Sequence, residues 1–394
     1  MDRREFSKCL GAAVLATGAV AVARGTEPPK AKSLPTTSKS EKKQWAQAHL
    51  KGAENFLMPS FTPDFKSLDE EGIRHDVRQS IKHGFCGCYV SARSLGLEAY
   101  QNRFMEIARD EAKGKILTSF SNASASVEAA IESLVYAEKL GYSHVLLLFP
   151  KNLTPQSEDE AYAQFRKLID ATSLAIVLYA YDVPALRRFH PSGIPVSVFD
   201  RLADHPRVVA MKMTQTLNAE MAYELCERLS NRLVFGPTNL DFVPLLARHY
   251  HNIQWSGQWN VESVQSPEKP YAVEFMDLVN RQRVDEALKV YWQMQPLIQL
   301  INDLQAPLLV KGGHPWAHMK YYQWAVGGNG GLLPLKASDA VPLIDAKDRQ
   351  RIRSTYEKCG ITPVDRPEEE FMVGKTAYAR GVRRADLAST PLYV

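Results

Sequence analysis

From residue 56 onward, short apolar runs rich in β-branched residues alternate with stretches of helical spacing. This alternation constrains the fold more than any other feature of the chain. The runs fall at 56–61, 87–92, 116–121, 144–149, 175–181, 208–213, 233–237 and 252–257. Between them lie helical patterns, including 68–83, 98–112, 127–140 and 158–172. Ser126 and Ser157 stand ahead of acidic first turns as N-caps, and Gly84 and Gly141 sit where helices stop. Strands separated by helices pair in parallel through right-handed crossovers. Eight such units close a (β/α)8 barrel, whose usual size is ~250 residues. The alternative, an open doubly wound sheet, lacks its Gly-x-Gly-x-x-Gly signature after the first strand. Further helical patterns at 272–305 and 315–326 precede an irregular tail. The expected fold is therefore α/β, a TIM barrel with extra C-terminal helices.

The ends are of a different character. Arg3-Arg4 with Phe6 and Lys8 precedes an uncharged run from Cys9 to Ala23. A charged start, a short apolar segment and a small-residue exit read as a secretory signal, too short to span a bilayer. The paired arginines are similar to a twin-arginine export signal, which implies the twin-arginine export machinery as a partner and a periplasmic or secreted product. Residues 24–49, with many Pro, Lys, Ser and Thr, read as a flexible linker. The expected division is signal 1–23, linker 24–49, barrel 50–290, and C-terminal helical extension and tail 291–394. A net charge of +4, from 48 basic and 44 acidic residues, gives no footprint for nucleic acid. After signal cleavage no membrane partner is expected. Five cysteines make no disulfide framework.

Barrels carry their chemistry at the C-terminal ends of their strands. The sixth run, Val208-Val209-Ala210-Met211-Lys212-Met213, places Lys212 in an apolar segment near such an end. Burial lowers a lysine pKa, and an amine freed of its proton forms Schiff bases with carbonyl compounds. The plain alternative is a lysine whose stem packs on the barrel while its head reaches water. In the fifth run Tyr179 and Tyr181 are two apart, so both point to one face. A phenol can carry the proton that imine chemistry requires.

Tyr181-Asp182-Val183-Pro184 resembles the Tyr-Asn-Val-Pro motif of the dihydrodipicolinate synthase / N-acetylneuraminate lyase family. Val209-Ala210-Met211-Lys212 resembles that family's Schiff-base strand. The stretch 59–72, the entry 84–89 and the segment Ala137-Glu138-Lys139-Leu140-Gly141 are similar to other family segments, in the same order. The resemblance covers about residues 50–340. It implies a class I, metal-independent aldolase or lyase that uses no cofactor and acts on a 2-keto acid or related carbonyl compound. It implies Lys212 as imine former and Tyr181 as proton relay, with Tyr179 as the alternative. Like its relatives, the chain is expected to form a homo-oligomer. One departure stands out: the family's Gly-Thr-Thr-Gly-Glu is replaced by Ala92-Arg93-Ser94-Leu95-Gly96. Arg93 and Ser94 are then the expected grip on an acidic group, since an arginine fork holds a carboxylate in bidentate fashion. Arg93 could equally be a salt-bridged rim residue. Thr62 and Gly257 complete the expected substrate-binding set, and the tryptophans Trp255, Trp259, Trp316 and Trp324 put hydratase-aldolase chemistry within reach.

Other clusters read as structure. Cys86 and Cys88 begin a buried strand, and His314 and His318 lack a carboxylate at metal-site spacing, so no metal is expected. Gly327-Gly328-Asn329-Gly330-Gly331 reads as a turn. The alternative function on the same barrel is an exported, non-catalytic binding protein, motivated by the missing threonine pair.

Overall fold

The computed structural model describes residues 40–214, 218–257 and 261–394. The signal segment, most of the linker and Trp259 lie outside the described residues.

Eight strands form one parallel sheet: β1 Gly52–Leu57, β2 Gly87–Val90, β3 Leu117–Ser121, β4 His144–Leu147, β5 Ala175–Ala180, β6 Val208–Met213, β7 Val234–Pro237 and β8 Trp255–Gly257. Their order, β7-β6-β5-β4-β3-β2-β1-β8, is that of a barrel opened at one seam. A parallel bridge from Phe235 to Ile253 closes the seam, and Phe235 N donates to Asn252 O at 2.8 Å. The fold is the expected TIM barrel with extra C-terminal helices.

Local signals set the elements. Ser126 and Ser157 cap their helices by accepting from the amides of Ala129 and Glu160, and Gly141 ends one in the left-handed conformation at φ 79°. Strand alternation then sorts the core into two layers. Val90, Phe120, Val145, Leu178 and Met211 face outward beneath the helices. Phe56, Tyr89, Leu146, Val177, Ala210, Val234 and Trp255 fill the barrel.

The first strand runs four residues ahead of the position expected from sequence. Its central residues, Glu54 and Asn55, are polar yet buried, so a search for apolar runs passes over them. Asn55 faces outward and donates to Ser80 Oγ and Glu262 Oε2, both at 2.9 Å. Glu54 faces into the barrel.

The linker reading is corrected over residues 41–49, which form the helix Glu41–His49, capped by Ser40. Ala46 and Leu50 are fully buried in the cluster that fills the barrel. Gln254 Nε2 donates to the carbonyls of Ala46 at 3.3 Å and Leu50 at 3.1 Å. The helix thus plugs the N-terminal mouth of the barrel. Its polar, lysine-rich exterior hid an apolar contact of very few residues.

The boundary expected at residue 290 falls inside the helix Val284–Leu309. The tail read as irregular contains the helices Ala346–Lys358, Glu368–Val373 and Lys375–Ala379. Its short helices lack strong apolar periodicity because they pack on other helices rather than on the sheet. Phe371 meets Tyr321 and Trp324 at ring separations of 5.0 and 5.7 Å. Both of those residues belong to Trp316–Ala325, a helix buried on every side, as a helix held between a barrel and a tail must be. The Gly327–Gly331 segment is a turn, with Asn329 N donating to Asp76 Oδ1 at 2.6 Å and Gly331 N to Phe371 O at 2.7 Å. Among the described residues, no helix is long and apolar enough to cross a membrane.

Candidate active site

Lys212 lies at the C-terminal end of β6, only 6% exposed. Its Nζ is 4.6 Å from the centre of the Tyr179 ring and 5.9 Å from that of Tyr89. The register explains the first contact, because Tyr179 and Lys212 are paired across β5 and β6. Burial lowers the Lys212 ammonium from 10.5 to about 7, and the negative charge of Glu54 acts in the opposite sense. A substantial fraction of this amine is therefore unprotonated at neutral pH. Lys320, another buried lysine, differs: its Nζ is 3.6 Å from Asp76 Oδ2.

Tyr181 follows β5 directly, with its ring 4.5 Å from that of Tyr179. Burial pushes the Tyr181 phenol up, and Tyr179 adds to the shift. Burial pushes Tyr179 up to about 12, opposed by the hydroxyl of Thr214, to which Tyr179 donates at 3.4 Å. Both phenols stay protonated near neutral pH and can donate to a substrate oxygen. Tyr89 is a third phenol at this end of the barrel, which sequence reasoning missed. Burial raises it while the hydroxyls of Ser121, Ser94 and Ser91 pull it back. Its signal was available, because Tyr89 and Ser91 share the inward face of the second run.

Arg93 and Ser94 lie on a short 3-10 turn after β2. The side chain of Gln101 holds that turn by accepting from the amides of Ala92 and Arg93 at 2.8 and 2.9 Å. Ser94 Oγ is 2.7 Å from Ser91 Oγ, which links it to the Tyr89 hydroxyl cluster. Arg93 Nη1 is buried without a hydrogen-bond partner among the described residues. Such a group is suited to an anionic ligand. Thr62 is occupied within its own loop, donating to Asp64 Oδ1 at 2.7 Å. The structure brings together Lys212, Tyr179, Tyr181 and Tyr89, and joins Ser94 to them through Ser91. It does not turn Thr62 toward them.

Gly257 ends β8 beside the floor of the site. A Cβ at Gly257 would come 2.8 Å from the Trp255 indole, and one at Gly236 would come 2.0 Å from it. Gly236 is the register partner of Lys212 on β7. The indole therefore occupies the space that side chains on both strands would need, next to the lysine. Trp316 stacks on Phe56 at 5.8 Å, and His314 meets Trp316 at 4.8 Å. Burial and then the charge of Lys212 lower His314 to about 4, so it is neutral at pH 7. Trp324 is elsewhere, donating to Glu370 at 3.2 Å. His318 is paired with Asp348 at 2.9 Å.

Comparison with known proteins bears on this arrangement. Residues 50–236 match the dihydrodipicolinate synthetase family. The 4-hydroxy-tetrahydrodipicolinate synthase of Methanopyrus kandleri is 31% identical over 140 residues, 34% of this chain and 46% of that one. That of Chlorobium limicola is 26% identical, covering 66% of this chain and 86% of its own. The N-acetylneuraminate lyase of Pasteurella multocida is 31% identical, covering 42% and 56%. The chain spans about half the length of several of these curated relatives. Among solved structures, N-acetylneuraminate lyase from Fusobacterium nucleatum aligns with a TM-score of 0.60 at 19% identity, covering 79% of this chain and 99% of that one. Dihydrodipicolinate synthase from Aquifex aeolicus aligns at 0.62 and 15% identity, covering 80% and 100%. These structures share the fold. The relatives bear the names of lyases and synthases, which gives the non-catalytic alternative no support.

Proposed function

We propose that this chain, whose residues 50–236 are a dihydrodipicolinate synthetase family domain, is a class I lyase that holds a small carbonyl substrate as an imine on Lys212. The observation that carries this reading is the placement of Lys212: a buried amine at the C-terminal end of a barrel strand, lowered to about 7 and faced by phenols. The amine attacks the substrate carbonyl carbon. The carbonyl oxygen leaves as water, taking one amine proton and one proton from an acid, and the nitrogen keeps its last proton and a positive charge. That iminium draws electrons from the carbon–carbon bond one carbon further out. The hydroxyl on the departing carbon gives up its proton and becomes a carbonyl, the bond breaks, an aldehyde or ketone is released and an enamine stays on Lys212. Run in reverse, the same steps form the bond. Tyr181 carries the proton to and from the reacting atoms, with Tyr179 as the alternative carrier. The buried Arg93 Nη1 and Ser94 hold an acidic group of the substrate, which favours 2-keto acids. Trp255 and Trp316 give the site apolar walls that suit an aromatic substrate, the hydratase-aldolase variant of this chemistry. The imine supplies the electron sink, so the scheme calls on no cofactor.

The exported location belongs to the same proposal. The Arg3-Arg4 segment supports passage of the folded protein through the twin-arginine machinery to the periplasm or beyond, and association of identical chains is expected. The decisive experiment is a borohydride trap. The purified protein is incubated with pyruvate, other 2-keto acids and aldehydes, reduced, digested and searched by mass spectrometry. An adduct on Lys212, absent from Lys212→Ala, supports the reading. A folded protein left unmodified at Lys212 across the panel overturns it.

A further inference from the structure

Inside the barrel, below Lys212, the structure holds a carboxylate that the imine scheme above leaves unused. Glu54 is 1% exposed and points inward from the middle of β1. Its Oε1 accepts a hydrogen bond from Ser119 on β3 and lies 3.4 Å from His144 Nε2 on β4. Its Oε2 is buried with no hydrogen-bond partner among the described residues. Glu54 is the register partner of Gly87, whose missing side chain leaves the carboxylate room: a Cβ there would come 3.1 Å from Oε1. Two residues further along the same inward face of β2 stands Tyr89, the ring whose centre is 5.9 Å from Lys212 Nζ. Much of the surrounding interior is apolar, with Leu146, Val177, Ala210, Val234 and Trp255. An isolated carboxylate in such a place is costly unless something offsets it.

We propose that Glu54 is the buried counter-charge for the cationic states of Lys212, the resting ammonium and the iminium formed with substrate. The inference rests on the imine reading for its second half only. Forming the iminium consumes one proton and leaves one positive charge inside a mostly apolar barrel. The groups facing Lys212 are the phenols of Tyr179 and Tyr181 on the β5 side and of Tyr89 on β2, and the imidazole of His314 ahead of the helix Trp316–Ala325. Phenols that burial keeps protonated cannot neutralise a cation, and His314 is itself depressed by burial and then by the lysine's charge. His144, the first residue of β4, is a neighbour of Glu54 on the floor side. The carboxylate whose charge reaches Lys212 is Glu54, with one oxygen fixed by Ser119 and the other unbonded. Its effect is to keep Lys212 from falling still lower, so that the amine is reactive while the iminium remains stable enough to form.

The test reads the lysine directly and needs no substrate. The intact protein and its Glu54→Gln variant are labelled with trace acetic anhydride from pH 5 to 10, and acetylation of Lys212 is followed by mass spectrometry. Gln can still accept from Ser119 but carries no charge. The midpoint for Lys212 should fall by about one pH unit in Glu54→Gln, and Glu54→Asp should restore most of it. An unchanged midpoint in folded Glu54→Gln overturns the inference. Should that variant fail to fold, Glu54→Ala, which removes the charge and leaves space beside Gly87, should lower the midpoint in the same direction. No movement there also overturns it. A keto-acid trap on the same samples separates the two readings. A shifted midpoint with no carbonyl adduct keeps Glu54 as counter-charge and removes the lyase, whereas an adduct with an unmoved midpoint does the reverse.

Discussion

The amine of Lys212 sits 4.6 Å from the centre of the Tyr179 ring, on the strand register that pairs the two residues. A ring face stabilises a cation at that range, yet burial wins and the amine is lowered to about 7. Tyr179 therefore has its ring committed to the lysine, and its hydroxyl is directed at Thr214. Tyr181 stands one ring further out.

That geometry separates the two phenols. Tyr179→Phe keeps the ring face and should lower turnover by less than about tenfold. Tyr181→Phe removes the proposed proton carrier and should lower it by about 10²–10⁴, the usual scale for a positioned acid–base group. Imine trapping on Lys212 should persist in both. Steady-state rates on whichever carbonyl substrate forms the adduct would check this, and a larger loss in Tyr179→Phe would exchange the two roles.

Lys212 should also cost stability. Its pKa falls from 10.5 unfolded to about 7 folded, so between those values the unfolded chain binds more protons and stability rises with pH. At pH 7 and below the penalty is full. Lys212→Met, similar in length and uncharged, should unfold later at pH 7 by about 1–3 kcal/mol. The gap should shrink as pH approaches 10. Denaturant melts at both pH values test the sign, and a Lys212→Met protein less stable at pH 7 would contradict the buried-amine picture.

Glu262 should give the opposite sign. Burial, then the charge of Asp76, raises its carboxyl from 4.5 to about 8. The folded state then holds a proton that the unfolded chain has lost, so stability falls as pH climbs from 4.5 to 8. Glu262→Gln preserves an acceptor for the Asn55 amide and removes the titration. It should match the parent at pH 5 and exceed it by about 1–2 kcal/mol at pH 8. Thermal melts across that range would show a constant gap if Glu262 titrates normally.

Much of this was legible in the chain. The β/α rhythm gave the barrel because eight apolar runs lie at nearly even spacing, and Lys212 stood out as one charge in an apolar strand. What escaped notice was polar and buried. Glu54 and Asn55 lie in the first strand just ahead of the first apolar run, and only the closed barrel shows that one faces inward and the other outward. The plug helix was hidden for a similar reason. Ala46 and Leu50 are too few to make a pattern, and their burial depends on Gln254, more than 200 positions away. Arg93 was found through a motif that it breaks, and its buried Nη1 is visible only in three dimensions.

Gly236 offers the sharpest steric test. It is the β7 partner of Lys212, and a Cβ there would fall 2.0 Å from the Trp255 ring. That approach is far inside any contact distance, and the ring is 1% exposed with nowhere to retreat. Gly236→Ala should cost about 2–4 kcal/mol, as overpacking of a rigid core does at its upper range. Gly236→Ala combined with Trp255→Phe shortens the intruding ring and should recover about half of that loss. If the indole is the floor beneath Lys212, the double variant should also regain trapping of the lysine that the single variant loses. A single variant as stable as the parent would mean that the indole does not lie where β7 and β8 place it.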